Sequence, residues 1–434
     1  MSRVITYGTY DLLHYGHIRL LKRAKALGDY LIVGVTADDF DKSRGKINVQ
    51  QSLMERIEAV RETGLADKII VEEYEGQKID DIRRYDIDIF TVGSDWNGKF
   101  DYLNEYCKVI YLDRTEGVSS SELRSGKRTI QLGLIGGSSI IKKFVRECQY
   151  VNGMTVTGIC TCDKICNEGS IFVTDVYKAL IDKVDAVYIV SLPHLHYEHI
   201  KMALREKKHV LCEAPVALTQ TQSSELFQLA KEQDCVLMDS LKTAYSTAYS
   251  RLLLLAKEGM IGQVYSVDAT CTSLKRITAN SWNSICGWGP TAMLPIMNVL
   301  GTMYKSKMIM SHLDKDGYDQ FTKINFVYDH AVGSIKVGKG VKSEGELVIS
   351  GTKGYIYVPA PWWKTDYFEV RYEDPSQNRR YFYQLDGEGI RYELVAFKKA
   401  MEGGRSFSCI DQDTSAAICK VIEDFYNRTD FVEI

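Results

Sequence analysis

Between residues 8 and 17 the chain reads Gly8-Thr9-Tyr10-Asp11-Leu12-Leu13-His14-Tyr15-Gly16-His17. It follows an apolar strand-like stretch, Val4-Ile5-Thr6-Tyr7, so a strand ends where Gly8 lets the backbone come close to a ligand. The spacing predicts a helix from about His17 to Leu27, with Ile18, Leu21 and Ala24 on its apolar face. Exposed N–H groups and the partial positive charge of a helix start suit a triphosphate. His14 and His17 stand three residues apart across this turn, so both imidazoles can face one phosphate, and Gly16 between them leaves room for a nucleotide.

Two later segments extend the pattern: Gly93-Ser94-Asp95-Trp96-Asn97-Gly98-Lys99-Phe100 and Arg114-Thr115-Glu116-Gly117-Val118-Ser119-Ser120. With the H-x-G-H run they resemble the cytidylyltransferase branch of the nucleotidyltransferase superfamily, the last segment resembling its R-T-x-G-I-S-T-T signature. H-x-G-H alone is shared with adenylyltransferases and some aminoacyl-tRNA synthetases. All the motifs together, over nearly all of residues 1–130, are similar to the glycerol-3-phosphate cytidylyltransferases. The resemblance implies transfer of a cytidylyl group from CTP to a small polyol phosphate. An acceptor phosphate is already ionised near neutral pH, so the reaction asks for in-line positioning and compensation of charge, not for a general base. On this reading His14 and His17 meet the α-phosphate in the transition state, and Arg114 helps to hold the triphosphate. Thr115, Ser119 and Ser120 add donors. Resemblance also implies that Gly8, Thr9, Tyr10 and Gly16 line the nucleotide site and that Asp95 contacts CTP. Arg44 and Lys46 are the candidates for gripping the acceptor phosphate, with Arg56 close behind. Mg2+ bridging the CTP phosphates is expected, without a dedicated carboxylate cage.

A second glycine turn follows the strand-like Ile130-Gln131-Leu132-Gly133-Leu134-Ile135 and reads Gly136-Gly137-Ser138-Ser139-Ile140-Ile141. With Val184-Asp185-Ala186-Val187-Tyr188-Ile189, Pro193-His194-Leu195-His196, Lys208-His209-Val210-Leu211-Cys212-Glu213-Ala214-Pro215 and Met260-Ile261-Gly262-Gln263-Val264, it resembles the glucose–fructose oxidoreductase and inositol dehydrogenase family. That resemblance implies a dinucleotide-binding domain followed by an open-sheet domain, with NAD(P) as cofactor and Gly136, Gly137, Ser138, His196 and Glu213 as the positions near it. The chemistry departs from the pattern. Ser138 stands at the second glycine of the turn and Ile141 at the third small position. The family's E-K-P lysine is Ala214, and by spacing Met293 and Met297 replace the carboxylate and imidazole of its D-x-x-x-H pair. Hydride transfer to or from a hydroxyl needs a proton carrier, and methionine cannot be one. The expectation is therefore a cytidylyltransferase with an oxidoreductase-like partner domain that no longer does hydride chemistry. The alternative is a bifunctional enzyme whose back half reduces a keto- or aldo-phosphate with NAD(P)H to the polyol phosphate that the front half activates. Lys242, Tyr245, His194 and His199 are the titratable residues left to substitute.

The elements that must position these residues are short apolar strands alternating with amphipathic helices after both glycine turns, which predicts two parallel sheets. In the first half the strands are about Tyr30–Thr36, Lys68–Val71, Ile87–Val92 and Val109–Leu112. In the second they include Thr155–Cys160, Ala186–Val190, His209–Cys212 and Val236–Asp239. Beyond about Leu255 long strand-like runs dominate, predicting an open, largely antiparallel sheet. The fold class is α/β: a Rossmann-like nucleotidyltransferase domain over 1–129, a Rossmann dinucleotide-binding domain over 130–250, and an α+β open-sheet domain over 251–434. A chain of 434 residues suits two or three domains, and 45% hydrophobic with 26% charged residues is enough for real cores. The net charge of −3 gives no electrostatic reason for nucleic acid or an anionic membrane as partner. No signal peptide or spanning segment is visible, so a cytoplasmic protein without membrane insertion is expected. The eleven cysteines form no C-x-x-C pair, and neither they nor His194-x-His196-x-x-His199 have ligand spacing, so no metal site is expected. Both resembled families commonly form dimers, implying a homo-oligomer. CDP-polyols feed teichoic-acid-like and capsular polymers, which is the pathway the resemblance implies.

Overall fold

The structure, a computed structural model, describes residues 2–37, 49, 51–74, 76–113, 129–151, 153–162, 171–275, 282–383, 385–403 and 410–434, apart from the side chains of Ser138, Ser139 and Asp386. The chain divides into two compact units, Met1–Arg128 and Thr129–Ile434.

The first unit contains β1 (Arg3–Gly8), α1 (Tyr15–Lys25), β2 (Tyr30–Thr36), α2 (Leu53–Glu62), β3 (Lys68–Glu72), α3 (Gln77–Arg84), β4 (Ile89–Gly93) and β5 (Lys108–Leu112). Its strands pair in the order β3-β2-β1-β4-β5, every pair parallel. The central strands are apolar throughout because both faces are covered. Val4, Leu31 and Val33 pack with Leu21 and Ala24 of α1 and Ile57 and Val60 of α2, while Ile5, Ile32 and Phe90 pack with Ile82 of α3 on the other face. The strand order reverses between β1 and β4, so the carboxyl ends of these two strands, at Gly8 and Gly93, flank the crevice where such sheets bind ligands. Gly34 in β2 has a specific reason: a Cβ there would lie 2.2 Å from the Tyr7 ring.

The second unit opens with a parallel sheet built from β6 (Ile130–Gly136), α4 (Ser138–Cys148), β7 (Met154–Cys160), β8 (Phe172–Thr174), α5 (Tyr177–Ile181), β9 (Ala186–Val190), α6 (Pro193–Arg205), β10 (His209–Glu213), α7 (Gln220–Glu232), β11 (Leu237–Ser240) and α8 (Thr247–Lys257). The order is β11-β10-β9-β6-β7-β8. The chain continues through β12 (Val264–Ser273), α9 (Ser284–Leu300), β13 (Ser306–Leu313), β14 (Asp319–Val327), β15 (Val332–Lys339), β16 (Leu347–Gly351), β17 (Tyr355–Val358), β18 (Tyr367–Arg371) and β19 (Arg379–Phe382). It ends with α10 (Ile390–Met401), α11 (Gln412–Tyr426) and β20 (Phe431–Glu433). These later strands form one mixed sheet, β19-β18-β17-β16-β12-β15-β14-β13-β20. It is antiparallel except for the β12–β15 and β13–β20 pairs. Strands β13 to β15 alternate buried with more exposed residues, as a sheet covered on one face should. One apolar cluster runs from Leu132 and Tyr188 through Leu252 to Ile324 and Ile335, so the two sheets of this unit share a core. Among the described residues, no helix is long and apolar enough to cross a membrane.

Candidate functional site

Helix α1 starts at His14, whose extended backbone (φ −126°, ψ 175°) makes it the N-cap. Its Nδ1 accepts the Gly16 N–H at 3.1 Å, and the Nδ1 of His17 accepts the His14 N–H at 3.5 Å. Two imidazoles thus fill the roles that a hydroxyl and a carboxylate usually play in a capping box. With Nδ1 of each ring accepting, the neutral rings carry their hydrogen on Nε2. The rings stack with centroids 4.0 Å apart and planes 26° apart, so two Nε2–H donors lie side by side at a helix start. Burial lowers the pKa of His14 and favours the neutral ring.

The loop leading to this cap is held in strained conformations, with positive φ at Tyr10 (54°) and Leu12 (48°). Gln51 fixes it from outside: its Oε1 accepts the Leu12 N–H at 2.6 Å, and its own N–H donates to Asp11 Oδ1 at 2.9 Å. Arg56 is the residue expected close behind Arg44 and Lys46 at the acceptor phosphate. It is fully buried and spends Nε and Nη1 on the carbonyls of Gln51, Thr9 and Thr36, at 3.1, 2.7 and 2.8 Å. It therefore acts on the site through the Thr9 backbone. Tyr10, expected to line the nucleotide site, has a side chain 1% exposed that packs behind Gly8 and edge-on to His17, where it supports the turn.

Beside Gly8 and Thr9 lies an open pocket lined by Thr36, Glu72, Lys78 and Trp96 and walled by Tyr7, Phe90 and Phe100. Lys78 forms a buried ion pair with Glu72, whose other oxygen accepts from Thr36 Oγ1 at 2.8 Å. The ammonium sits over the Tyr7 and Phe100 rings, 4.7 and 5.3 Å from their centroids. Tyr7 is anchored in turn by its hydroxyl, which donates to Asp81 at 2.8 Å. Sequence reading missed Lys78, because a lysine in a polar helix carries no local sign that its head turns inward. Asp95 is exposed in a short turn directly after β4, at the same edge of the sheet as Gly8. Arg44, Lys46, Arg114, Thr115, Ser119 and Ser120 lie outside the described residues.

In the second unit Gly136 ends β6 with φ 148°, where a Cβ would meet Val190 Cγ1 at 2.3 Å. Gly137 is the N-cap of α4, which has no side-chain cap. Ile141 faces the core, away from the turn. The Ser138 side chain lies outside the described atoms. His196 is the position expected near the cofactor. It is fully buried, with Nδ1 2.8 Å from the Pro215 carbonyl and Nε2 2.9 Å from the Ser191 carbonyl, so it ties together the loops after β9 and β10. Glu213 Oε1 accepts from the Tyr188 hydroxyl and from Lys242 Nζ. Met293 and Met297 are buried in the apolar core. Tyr245 is committed to the Asp239 carbonyl at 2.7 Å. Among the described residues, no group of three His, Cys, Asp or Glu side chains is placed to hold a metal ion.

Comparison with known proteins matches residues 5–126 to the cytidylyltransferase-like family and residues 130–240 to the oxidoreductase family with an NAD-binding Rossmann fold. Glycerol-3-phosphate cytidylyltransferase of Bacillus spizizenii is 50% identical over 129 residues, 29% of this chain and 95% of that protein. The enzyme of the same name from Staphylococcus aureus is 48% identical over 128 residues, 29% of this chain and 93% of that protein. Among solved structures, KijD10, a 3-ketoreductase from Actinomadura kijaniata in complex with NADP and TDP-benzene, superposes with a TM-score of 0.63 at 17% identity. It covers 71% of this chain and 99% of its own, a likeness of fold.

Proposed function

Because the chain belongs, through its first unit, to the glycerol-3-phosphate cytidylyltransferase family, we propose that it moves the cytidylyl group of CTP onto glycerol 3-phosphate or a related polyol phosphate. The observation that supports this reading is the stacked pair His14 and His17 at the α1 start, each accepting through Nδ1 inside the cap. An oxygen of the acceptor phosphate attacks the α-phosphorus in line as the bond to pyrophosphate breaks. The two Nε2–H groups and the α1 amides take up the charge that grows on the α-phosphate oxygens, already oriented and needing no rearrangement. Asp95 would contact CTP across the crevice, and Arg114, Thr115, Ser119 and Ser120 would hold its triphosphate. Arg44 and Lys46 would grip the acceptor phosphate, while Lys78, in the adjoining pocket, would meet the acceptor's hydroxyl-bearing end. Mg2+ would travel with the CTP phosphates, because the nearby Asp11 carboxylate is engaged by Gln51.

For the second unit the residues present fit a dinucleotide. Gly136, Gly137 and the uncapped first turn of α4 would hold the pyrophosphate of NAD(P), which would supply hydride. The reading extends to a homo-oligomer working in the cytoplasm and feeding CDP-polyol to a teichoic-acid-like or capsular polymer. The test is pyrophosphate release from CTP and Mg2+ with a panel of polyol phosphates. Release should be fastest with glycerol 3-phosphate or a close relative, and release with none of them would defeat the reading.

A further inference from the structure

Three successive strands of the second unit's parallel sheet bring polar side chains to its carboxyl edge. Tyr188 comes from β9, Glu213 ends β10, and Ser240 ends β11, with Lys242 two residues further on. Glu213 Oε1 accepts from the Tyr188 hydroxyl at 2.6 Å and from Lys242 Nζ at 2.8 Å. Tyr188 is fully buried and stacked on Phe144 of α4 at 3.7 Å, so the carboxylate is held from a rigid base. In register beside Glu213, Ser240 donates to Glu393 Oε2 of α10 at 2.9 Å. Burial lowers the pKa of Lys242, but the carboxylates of Glu213 and Glu393 raise it further, so the ammonium stays charged.

A staple that served folding alone would leave its polar groups satisfied. Here Glu393 Oε1 and Trp288 Nε1 are buried without a hydrogen-bond partner. Glu393 itself is fully buried. Lys242 keeps 25% of its side chain exposed and directs one N–H to Glu213. Trp288 packs on Trp363 at 4.9 Å, and the Trp363 carbonyl accepts from Thr243, the residue next to Lys242. Lys242 thus stands partly exposed just past the carboxyl end of β11, on the side where sheets of this kind bind their ligands.

We propose that Lys242 is the proton donor of a carbonyl reduction in the second unit, acting on a phosphorylated hydroxyketone or hydroxyaldehyde. The proposal rests on the oxidoreductase reading of that unit and is independent of cytidylyl transfer. A hydride supplied by reduced nicotinamide forms the new C–H bond, leaving the nicotinamide oxidised. The π pair of the C=O bond moves onto oxygen. The O–H bond forms as an N–H bond of Lys242 breaks, and the neutral amine regains its proton from water. The product is a polyol phosphate, the class of acceptor proposed for the first unit.

The test uses the full-length protein and its Lys242→Met and Lys242→Arg variants, with NADPH and two probe carbonyls, dihydroxyacetone phosphate and ribulose 5-phosphate. The wild type should oxidise NADPH with at least one probe. Lys242→Met should be slower by about 100-fold or more, the scale of a lost general acid, with NADPH affinity by fluorescence unchanged. Lys242→Arg should recover part of the binding of the probe. Independently of turnover, NADPH plus the probe should slow acylation of Lys242 by an amine-reactive reagent, read by peptide mass spectrometry. Wild-type rates in Lys242→Met, no NADPH oxidation by the wild type with either probe, or acylation indifferent to both ligands would each overturn the proposal. Cytidylyl transfer at the wild-type rate in Lys242→Met separates lost reduction chemistry from misfolding.

Discussion

His14 performs two tasks with its two ring nitrogens, and a substitution can separate them. Asparagine is a good N-cap and offers an oxygen to the Gly16 N–H, but nothing in place of the Nε2–H donor. His14→Asn should therefore melt near the wild-type temperature while pyrophosphate release slows by about 10²–10³-fold, the cost of losing one preorganised donor. A near-normal rate would reduce His14 to a cap. Lys78 needs a paired design, because its ion pair with Glu72 is buried. Lys78→Met alone leaves an uncompensated carboxylate and should cost about 3–5 kcal/mol. Adding Glu72→Gln should restore much of that stability. In the double variant KM for the polyol phosphate should rise more than KM for CTP, and an equal change in both would remove Lys78 from the acceptor site.

At the scale of elements, the cap and its loop depend on α2. Ser52 and Glu55 form a capping box that fixes where this helix begins, and one residue later Arg56 bonds the carbonyl ends of β1 and β2. The helix therefore clamps the loop after β1 to the sheet. Arg56→Met keeps the bulk of the side chain and removes the donors. It should lower stability by about 1–3 kcal/mol for each buried carbonyl left unpaired. Thermal melting would measure that loss, and CTP turnover should fall with it because Thr9 is released. If melting dropped while turnover held, the Thr9 bond would not be what shapes the site.

For the whole molecule, the second unit carries buried carboxyls whose ionisation should be visible in its stability. Burial pushes Asp239 up to about 7, and burial likewise pushes Asp319 up to about 7. In the unfolded chain such groups titrate near about 4. The folded state therefore binds these protons more tightly, and the stabilisation is full below about pH 4 and lost as pH rises through about 7. His199 works the other way: burial lowers it to about 4, so its contribution is present above about pH 6.5 and lost on acidification. Between about pH 8 and about pH 6.5 the carboxyls should dominate, and the melting temperature of this unit should rise as pH falls. Asp239→Asn and Asp319→Asn should flatten that slope, and a melting temperature that instead fell would contradict the assignment.

The architecture was legible because it is written in local patterns. Apolar strands, glycine turns and amphipathic helices alternate in both halves, and β2 runs over Tyr30–Thr36 as its residues suggest. The pairing of His14 with His17 was legible for the same reason, since three residues across a helix start leave few arrangements. Burial was not legible. Arg56, Tyr10 and His196 have polar groups suited to a ligand, yet packing turned them inward to satisfy the backbone or fill space behind the turn. Lys78 with Glu72, and Lys242 with Glu213 and Glu393, join residues from separate crossovers, and no periodicity within one segment names a partner on another. By itself the sequence determined the elements and the residue types available for chemistry. The tertiary structure alone decided which polar heads meet, because that depends on strand order and helix packing over distances no local rule spans.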